Sequence, residues 1–73
     1  MQIDMDRALV LVEQARRKEL RDTGEILELR AELLADYAFR VELSERLRVF
    51  PDVLIRFLRH TRNDILNRPY KCD

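Results

Sequence analysis

The side chains best suited to catalysis are few in this chain, and they stand apart from one another. His60 is the only histidine, and it has no cysteine or second histidine at the spacing of a metal site. Cys72 is the only cysteine, and no base near it in the sequence prepares it as a nucleophile. The chain has a single glycine, so it has no glycine-rich phosphate loop. A domain of 73 residues also has little room for a substrate pocket. We therefore expect a protein that is not an enzyme and that uses no metal and no cofactor.

Binding residues form a clearer pattern in the C-terminal half. Pro51 fits the first position of a helix, where its missing N–H costs nothing. On the outward side of that helix, arginine and asparagine donors alternate with an acid and with apolar side chains. The predicted contact face consists of Phe50, Asp52, Ile55, Arg56, Arg59, Arg62 and Asn63. Such a face can contact either a protein or DNA.

A second group of cations stands near the end of the first predicted helix: Arg16, Arg17, Lys18 and Arg21. Cations suit the negative end of the helix macrodipole, so a solvated and well-capped helix end explains them. The alternative is a secondary basic patch that contacts phosphate or an acidic protein surface.

Charge is balanced in the whole chain and uneven along it. Fourteen basic residues match fourteen acidic ones. Residues 1–37 hold six basic and nine acidic side chains, a difference of −3, and residues 38–73 hold eight and five, a difference of +3. A dedicated nucleic-acid binder of this size is usually basic throughout, because affinity rises with the phosphates that are neutralised. The pattern favours a basic functional half on an acidic support, or a partner that is itself of mixed charge.

Composition predicts the class of protein and its compartment. The chain is 47% hydrophobic and 38% charged with two prolines, a profile typical of a helix-rich globular domain. A single cysteine suits a reducing cytoplasm. The acidic start, Met1 to Asp6, is unlike a secretory leader, and the longest apolar run, Ala8 to Val12, is far too short to span a bilayer. We expect a soluble cytoplasmic protein without a membrane contact.

Apolar spacing predicts an all-α fold: a single small domain of four helices, at about residues 5–21, 24–39, 42–48 and 51–67, with a tail at 69–73. Thr23 is the expected N-cap of the second helix. Its apolar stripe, which includes Leu27, Leu34, Tyr37 and Ala38, slips near Phe39–Glu42, which indicates a break there. The alternative is one continuous helix from residue 25 to residue 48. Arg30 falls inside the stripe, so we expect its aliphatic stem to lie over the core and its guanidinium head to reach the solvent. The alternative is a buried ion pair.

The stretch Glu42–Arg59 resembles the helix-turn-helix unit of prokaryotic and phage repressors, of the type L-A-x-x-x-G-V-S-P-x-T-V-S-R-x-L. The match runs over LSERLRVFPDVLIRFL, about a quarter of the chain. Leu43, Leu47, Val49, Leu54 and Phe57 have the inward spacing of that unit, and small Ser44 stands where its two helices come close. The residues that the last helix is expected to turn inward are Val53, Leu54, Phe57, Leu58 and Ile65. The resemblance implies a helix-turn-helix-like C-terminal pair in which Arg48 holds the place of the left-handed glycine, at a cost of about 1 kcal/mol.

The outward residues depart from the repressor pattern. Base reading needs donors and acceptors, which Arg56 and Arg59 supply. Phe50 and Ile55 supply none, and Asp52 has the wrong sign to face phosphates. An exposed Ile55 near Leu66, rimmed by arginines, is more typical of a protein-binding patch.

The size and arginine- and leucine-rich composition are similar to those of phage-encoded inhibitors of host RNA polymerase, such as the family made by Xanthomonas phages. This likeness implies contact with a polymerase subunit in the bacterial cytoplasm and modulation of initiation. The first alternative is a DNA-binding repressor or excision-type protein, and the second is a structural or scaffold role. Whether the protein is a monomer or a dimer is left open by the sequence.

Overall fold

The computed structural model of the chain describes residues 3–67, which fold into four helices: α1 (Met5–Arg16), α2 (Thr23–Ala35), α3 (Tyr37–Leu47) and α4 (Pro51–Asn67). No strand occurs in this part of the chain, so the all-α prediction is confirmed. The first residue of α4 is Pro51, as predicted, whereas the other three helices begin or end at residues other than those predicted. The predicted tail at 69–73, which includes Cys72, lies outside the described residues.

Three aspartates begin the first three helices. The side chains of Asp4, Asp22 and Asp36 accept hydrogen bonds from the backbone N–H groups of Arg7 (2.8 Å), Gly24 (2.8 Å) and Phe39 (3.1 Å). Each carboxylate satisfies an N–H that has no partner within its own helix, and its charge suits the positive end of the macrodipole. The N-cap of α2 is therefore Asp22 and not Thr23, which is the first residue of the helix.

The first helix ends at Arg16, five residues earlier than predicted. Lys18 has a left-handed backbone (φ 59°), and the N–H groups of Lys18 and Glu19 donate to the carbonyls of Ala15 (3.1 Å) and Gln14 (2.9 Å). These two bonds close the helix in the manner of a Schellman motif. The reversal lets Leu20 reach the core, where it is 5% exposed. A helix continued to residue 21 would forgo this turn.

The break between the second and third helices lies at Asp36, not at Phe39–Glu42, and the continuous helix from residue 25 to residue 48 is not formed. Asp36 leaves the helical region (φ −123°, ψ 102°) while its N–H still donates to Glu32 O at 2.9 Å. It thus ends one helix and caps the next. A side chain that offers the backbone an alternative acceptor favours such a break without glycine or proline.

A turn of three residues joins α3 to α4. Arg48 adopts the left-handed conformation (φ 58°, ψ 43°), and the N–H groups of Arg48 and Val49 donate to Glu45 O (3.1 Å) and Ser44 O (3.0 Å). Two left-handed residues, Lys18 and Arg48, therefore stand where helices commonly place glycine.

The core is formed by apolar residues from all four helices and from the segments on either side of α1. It contains Ile3, Ala8, Leu11, Val12, Ala15, Leu20, Ile26, Leu29, Leu33, Leu43, Leu54 and Leu58. Each helix contacts the other three. Ser44 and Thr61 are the buried polar residues of the described region, and their hydroxyls donate to the carbonyls of Arg40 (2.7 Å) and Phe57 (2.9 Å).

Several residues that were expected inward are exposed instead. Leu27, Leu34, Tyr37 and Ala38 were assigned to the apolar stripe of the second helix, and Val53 to that of the last helix, yet all five are exposed. The break at Asp36 explains two of them, because Tyr37 and Ala38 belong to α3 and follow a different helical phase. Arg30 is half-buried, with a buried Nε that has no hydrogen-bond partner and no ion pair within residues 3–67. This agrees with a stem over the core, not with a buried ion pair.

Candidate functional site

A shallow cleft of about 450 Å³ runs along one flank of α4. We call it the basic cleft, and its lining residues are Leu34, Arg40, Asp52, Ile55, Arg56, Arg59 and His60. Four of them belong to the predicted contact face: Asp52, Ile55, Arg56 and Arg59. The other wall is formed by Leu34 from the end of α2 and Arg40 from the first turns of α3. The packing of the α2–α3 corner beside α4 therefore turns a helix face into a concave site.

The charge in the basic cleft is mainly positive. Its lining includes three arginines, Arg40, Arg56 and Arg59, and one acidic residue, Asp52. None of the three forms an ion pair with a carboxylate in the described part of the chain. Four other arginines form ion pairs: Arg7 with Glu25, Arg16 and Arg17 with Glu13, and Arg46 with Glu42. The cleft thus brings together three arginines that form no ion pair within the described part of the chain.

Arg40 is the most constrained of these cations. Its guanidinium carbon lies 5.0 Å from the centroid of the Tyr37 ring, a cation–π contact that holds the head group on one side. The side chain is half-buried, and its Nε is buried without a hydrogen-bond partner in the region described. A buried donor of this kind is unfavourable until an acceptor reaches it. Arg40 therefore has donor capacity that residues 3–67 do not use.

The apolar part of the predicted face differs from expectation at Ile55. This side chain is half-buried and packs against the core, so it is not the exposed residue that the sequence suggested. It contributes to the lining of the basic cleft, where Leu34, 58% exposed, supplies the accessible apolar surface. Leu66, which was expected to join Ile55 in an exposed patch, is exposed but does not line the cleft.

Three residues of the predicted face lie outside the basic cleft. Phe50, just before α4, is 79% exposed, and Asn63 is exposed one turn beyond His60. Arg62 is half-buried, and its Nε is buried without a hydrogen-bond partner in the described region. Its position on α4 is therefore closer to the core than that of Arg56 or Arg59.

An apolar groove of about 290 Å³ lies on the opposite flank of α4. Its lining residues are Val12, Arg16, Leu47, Val49, Val53, Leu54 and Phe57. Val49 and Val53 are exposed at its rim, next to Phe50 in the sequence. Sequence reasoning missed this groove because both valines were expected in the core.

The secondary basic patch is not assembled on one helix. Arg16 lines the apolar groove, and Arg17 donates from Nε to Glu13 Oε2 at 2.9 Å. Lys18 forms the left-handed turn after α1, and Arg21 is exposed in the segment that leads to α2. Because the helix ends at Arg16, the four cations do not share a helical face.

Leu34, Arg40 and His60 are the residues of the basic cleft that sequence reasoning did not select. Leu34 was assigned to the buried stripe, and Arg40 lay within the expected helix break. His60 was considered only as a metal ligand, although it follows Arg56 by one helical turn. That spacing was the one local signal that could have placed it with the arginines.

Residues 3–67 contain no group of three histidine, cysteine or acidic side chains arranged to hold a metal ion. Among their helices, none has the combination of length and apolar character that crossing a bilayer demands.

Comparison of the chain with protein-family models, with curated proteins and with solved structures gives no match.

Proposed function

We propose that this chain is a small regulator of transcription that acts through contact with a protein. The partner to test first is bacterial RNA polymerase, with the chain as a phage-encoded modulator of initiation in the host cytoplasm. The observation that carries the protein-contact proposal is the shape of the site. Asp52, Ile55, Arg56 and Arg59 form one wall of a cleft whose other wall includes Leu34. The choice of polymerase rests on the likeness in size and composition to phage inhibitors.

A concave site beside α4 suits a protein segment better than a DNA groove. A helix that reads the major groove inserts a protruding face and contacts base edges with its side chains. Here the residues at the corresponding positions include a half-buried isoleucine, and an exposed leucine of α2 lines the same site. Leu34 and Ile55 offer apolar contact that bases and phosphates use poorly and that protein side chains use well.

Exposed apolar residues at the start of α4 form a second surface, apart from the basic cleft. Phe50 is 79% exposed, and Val49 and Val53 are 38% and 42% exposed. Aromatic residues are enriched in the cores of protein interfaces and often contribute strongly to binding. The start of α4 thus supplies a second apolar contact on the far side of the helix from the basic cleft.

DNA binding is the second candidate, because one feature of the backbone favours it. Arg48 takes the left-handed conformation at the place where repressors have glycine, and Ser44 is 2% exposed where they have alanine. Arg56 and Arg59 are exposed and lack acidic partners within residues 3–67, so they are available to phosphates. This candidate predicts binding that falls steeply with salt.

The deciding experiment measures binding of the purified chain to RNA polymerase core enzyme, to holoenzyme and to duplex DNA. Leu34→Asp is the test variant, because Leu34 lines the basic cleft and its exposure lets the fold tolerate the change. Leu27→Asp is the matched control, since Leu27 is an exposed leucine of the same helix outside the cleft. We expect polymerase binding that Leu34→Asp abolishes and Leu27→Asp preserves.

Ile55→Asp is a poor test variant, because the side chain packs against the core and a buried carboxylate would destabilise the fold. Absence of polymerase binding by the wild-type chain would rule out the proposed partner. Sequence-selective binding to duplex DNA that Arg56→Ala and Arg59→Ala abolish would establish the second candidate instead.

A further inference from the structure

We infer that the basic cleft binds an acidic amphipathic helix of the partner, with carboxylates on its arginines and an apolar side chain against Leu34 and Ile55. This inference rests on the proposed function, because it takes the occupant to be a protein. It adds the chemistry of the segment that is recognised and assigns a binding role to Arg40, which lies outside the predicted contact face.

Charge complementarity is the first reason. Arg40 comes from α3, whereas Arg56 and Arg59 come from α4, and the packing of the two helices places all three around one cleft. Guanidinium groups bind carboxylates in a two-pronged geometry. No carboxylate of residues 3–67 forms an ion pair with any of these three arginines, so the acceptors can come from a partner.

The state of Arg40 is the second reason. Its guanidinium carbon lies 5.0 Å from the centroid of the Tyr37 ring, and its Nε is buried without an acceptor in the region described. A carboxylate that enters the cleft would meet a cation already oriented by its contact with the ring, which reduces the entropy lost on binding. Arg40 is therefore expected to matter as much as Arg56, although it lies on a different helix.

The apolar lining decides between a protein and a nucleic acid. Leu34 is 58% exposed beside half-buried Ile55, and Asp52 stands in the same lining. A phosphate backbone gains nothing from the leucine. A helix with glutamates and a leucine on one face uses both the apolar and the basic parts. Asp52 also repels glutamates, so its removal should tighten the binding of an acidic helix.

The test uses the full chain and a fluorescent helical peptide that carries glutamates and leucines on one face, with binding followed by anisotropy. Two matched peptides replace either the glutamates by glutamine or the leucines by serine. We expect Arg40→Gln and Arg59→Gln each to weaken binding about tenfold. Arg46→Gln is the control, because Arg46 is exposed on α3, pairs with Glu42 and does not line the cleft. Asp52→Asn is expected to strengthen binding.

The inference is overturned if Arg40→Gln and Arg59→Gln bind the acidic peptide as the wild type does. Equal binding of the glutamine peptide, or failure of the wild type to bind the acidic peptide, would also overturn it. Displacement of the peptide by an equal concentration of duplex DNA would assign the cleft to nucleic acid. Circular dichroism of each variant shows that it remains folded.

The outcomes separate this inference from the proposed function. Polymerase binding that is sensitive to Leu34→Asp but insensitive to Arg40→Gln and to Arg59→Gln would keep the proposed function and reject the acidic helix. Peptide binding with the expected variant pattern, in a chain that does not bind polymerase, would keep the acidic-helix site and reject the partner.

Discussion

The Ser44 hydroxyl donates a hydrogen bond of 2.7 Å to the carbonyl oxygen of Arg40, one turn earlier in α3. Ser44 is 2% exposed, whereas the side chain of Arg40 lines the basic cleft. The bond satisfies a buried polar group within its own helix, so the core needs no second polar residue to accept it. One turn of α3 thus connects the packed interior with the candidate binding surface.

Enlarging Ser44 should destabilise the fold. Ser44→Leu inserts a large side chain into a fully buried position, and overpacking of this kind costs about 1–3 kcal/mol. Ser44→Ala removes only the hydroxyl and its local bond, so we expect a loss of about 1 kcal/mol or less. Urea unfolding followed by circular dichroism measures both. A leucine variant as stable as the wild type would show that this position is not closely packed.

Replacement of Arg48 by glycine should stabilise the chain. Arg48 has φ 58°, a conformation that costs a residue with a Cβ about 1 kcal/mol and costs glycine nothing. The greater freedom of glycine in the unfolded chain offsets part of this gain, so the expected net increase in unfolding free energy is about 0.5 kcal/mol.

Glu45→Gly is the matched control for this substitution, because Glu45 is an exposed residue with helical geometry in the same helix. It should lower stability by about 1 kcal/mol. If both glycine variants lowered the midpoint of thermal unfolding equally, the left-handed conformation of Arg48 would be contradicted.

Removal of the carboxylate at Asp36 should weaken the break between α2 and α3. Asp36 caps α3 through a 3.1 Å bond from Phe39 N, and loss of an N-cap costs about 1 kcal/mol. We expect Asp36→Ala to show this loss and Asp36→Ser to retain most of the stability. Thermal unfolding of the two variants side by side tests the cap, and equal stability of alanine and serine would argue against it.

The sequence predicted the helical class and the start of α4, because these depend on local signals. Pro51 fixes the start of α4, and the spacing of Leu54 and Leu58 matches the buried face. The end of α1 involves Lys18 in left-handed geometry, which a lysine does not indicate, whereas the resemblance to repressors had placed Arg48 at a left-handed position. The end of α1 was placed too late for that reason.

The candidate site was predicted only on its α4 side. Asp52, Arg56 and Arg59 follow from helical spacing, whereas Leu34 and Arg40 reach the cleft through the packing of the α2–α3 corner beside α4. That packing depends on a break at Asp36, which the apolar pattern placed a few residues too late. Contacts between distant segments are set by such boundaries, so a small error in a helix end moves residues between the core and the surface.

Phe50 should contribute to partner binding and little to folding. It is 79% exposed, and truncation of an exposed side chain usually changes stability by less than about 0.5 kcal/mol. Phe57, which packs against the core in the apolar groove, is the matched control, and its replacement by alanine should cost about 2 kcal/mol or more. We therefore expect Phe50→Ala to unfold at the wild-type temperature and to bind polymerase several-fold more weakly, because exposed aromatic residues often anchor interfaces.

Calorimetry and a binding titration on the same preparation separate the two effects. Normal binding by Phe50→Ala would restrict the contact surface to the basic-cleft side of α4.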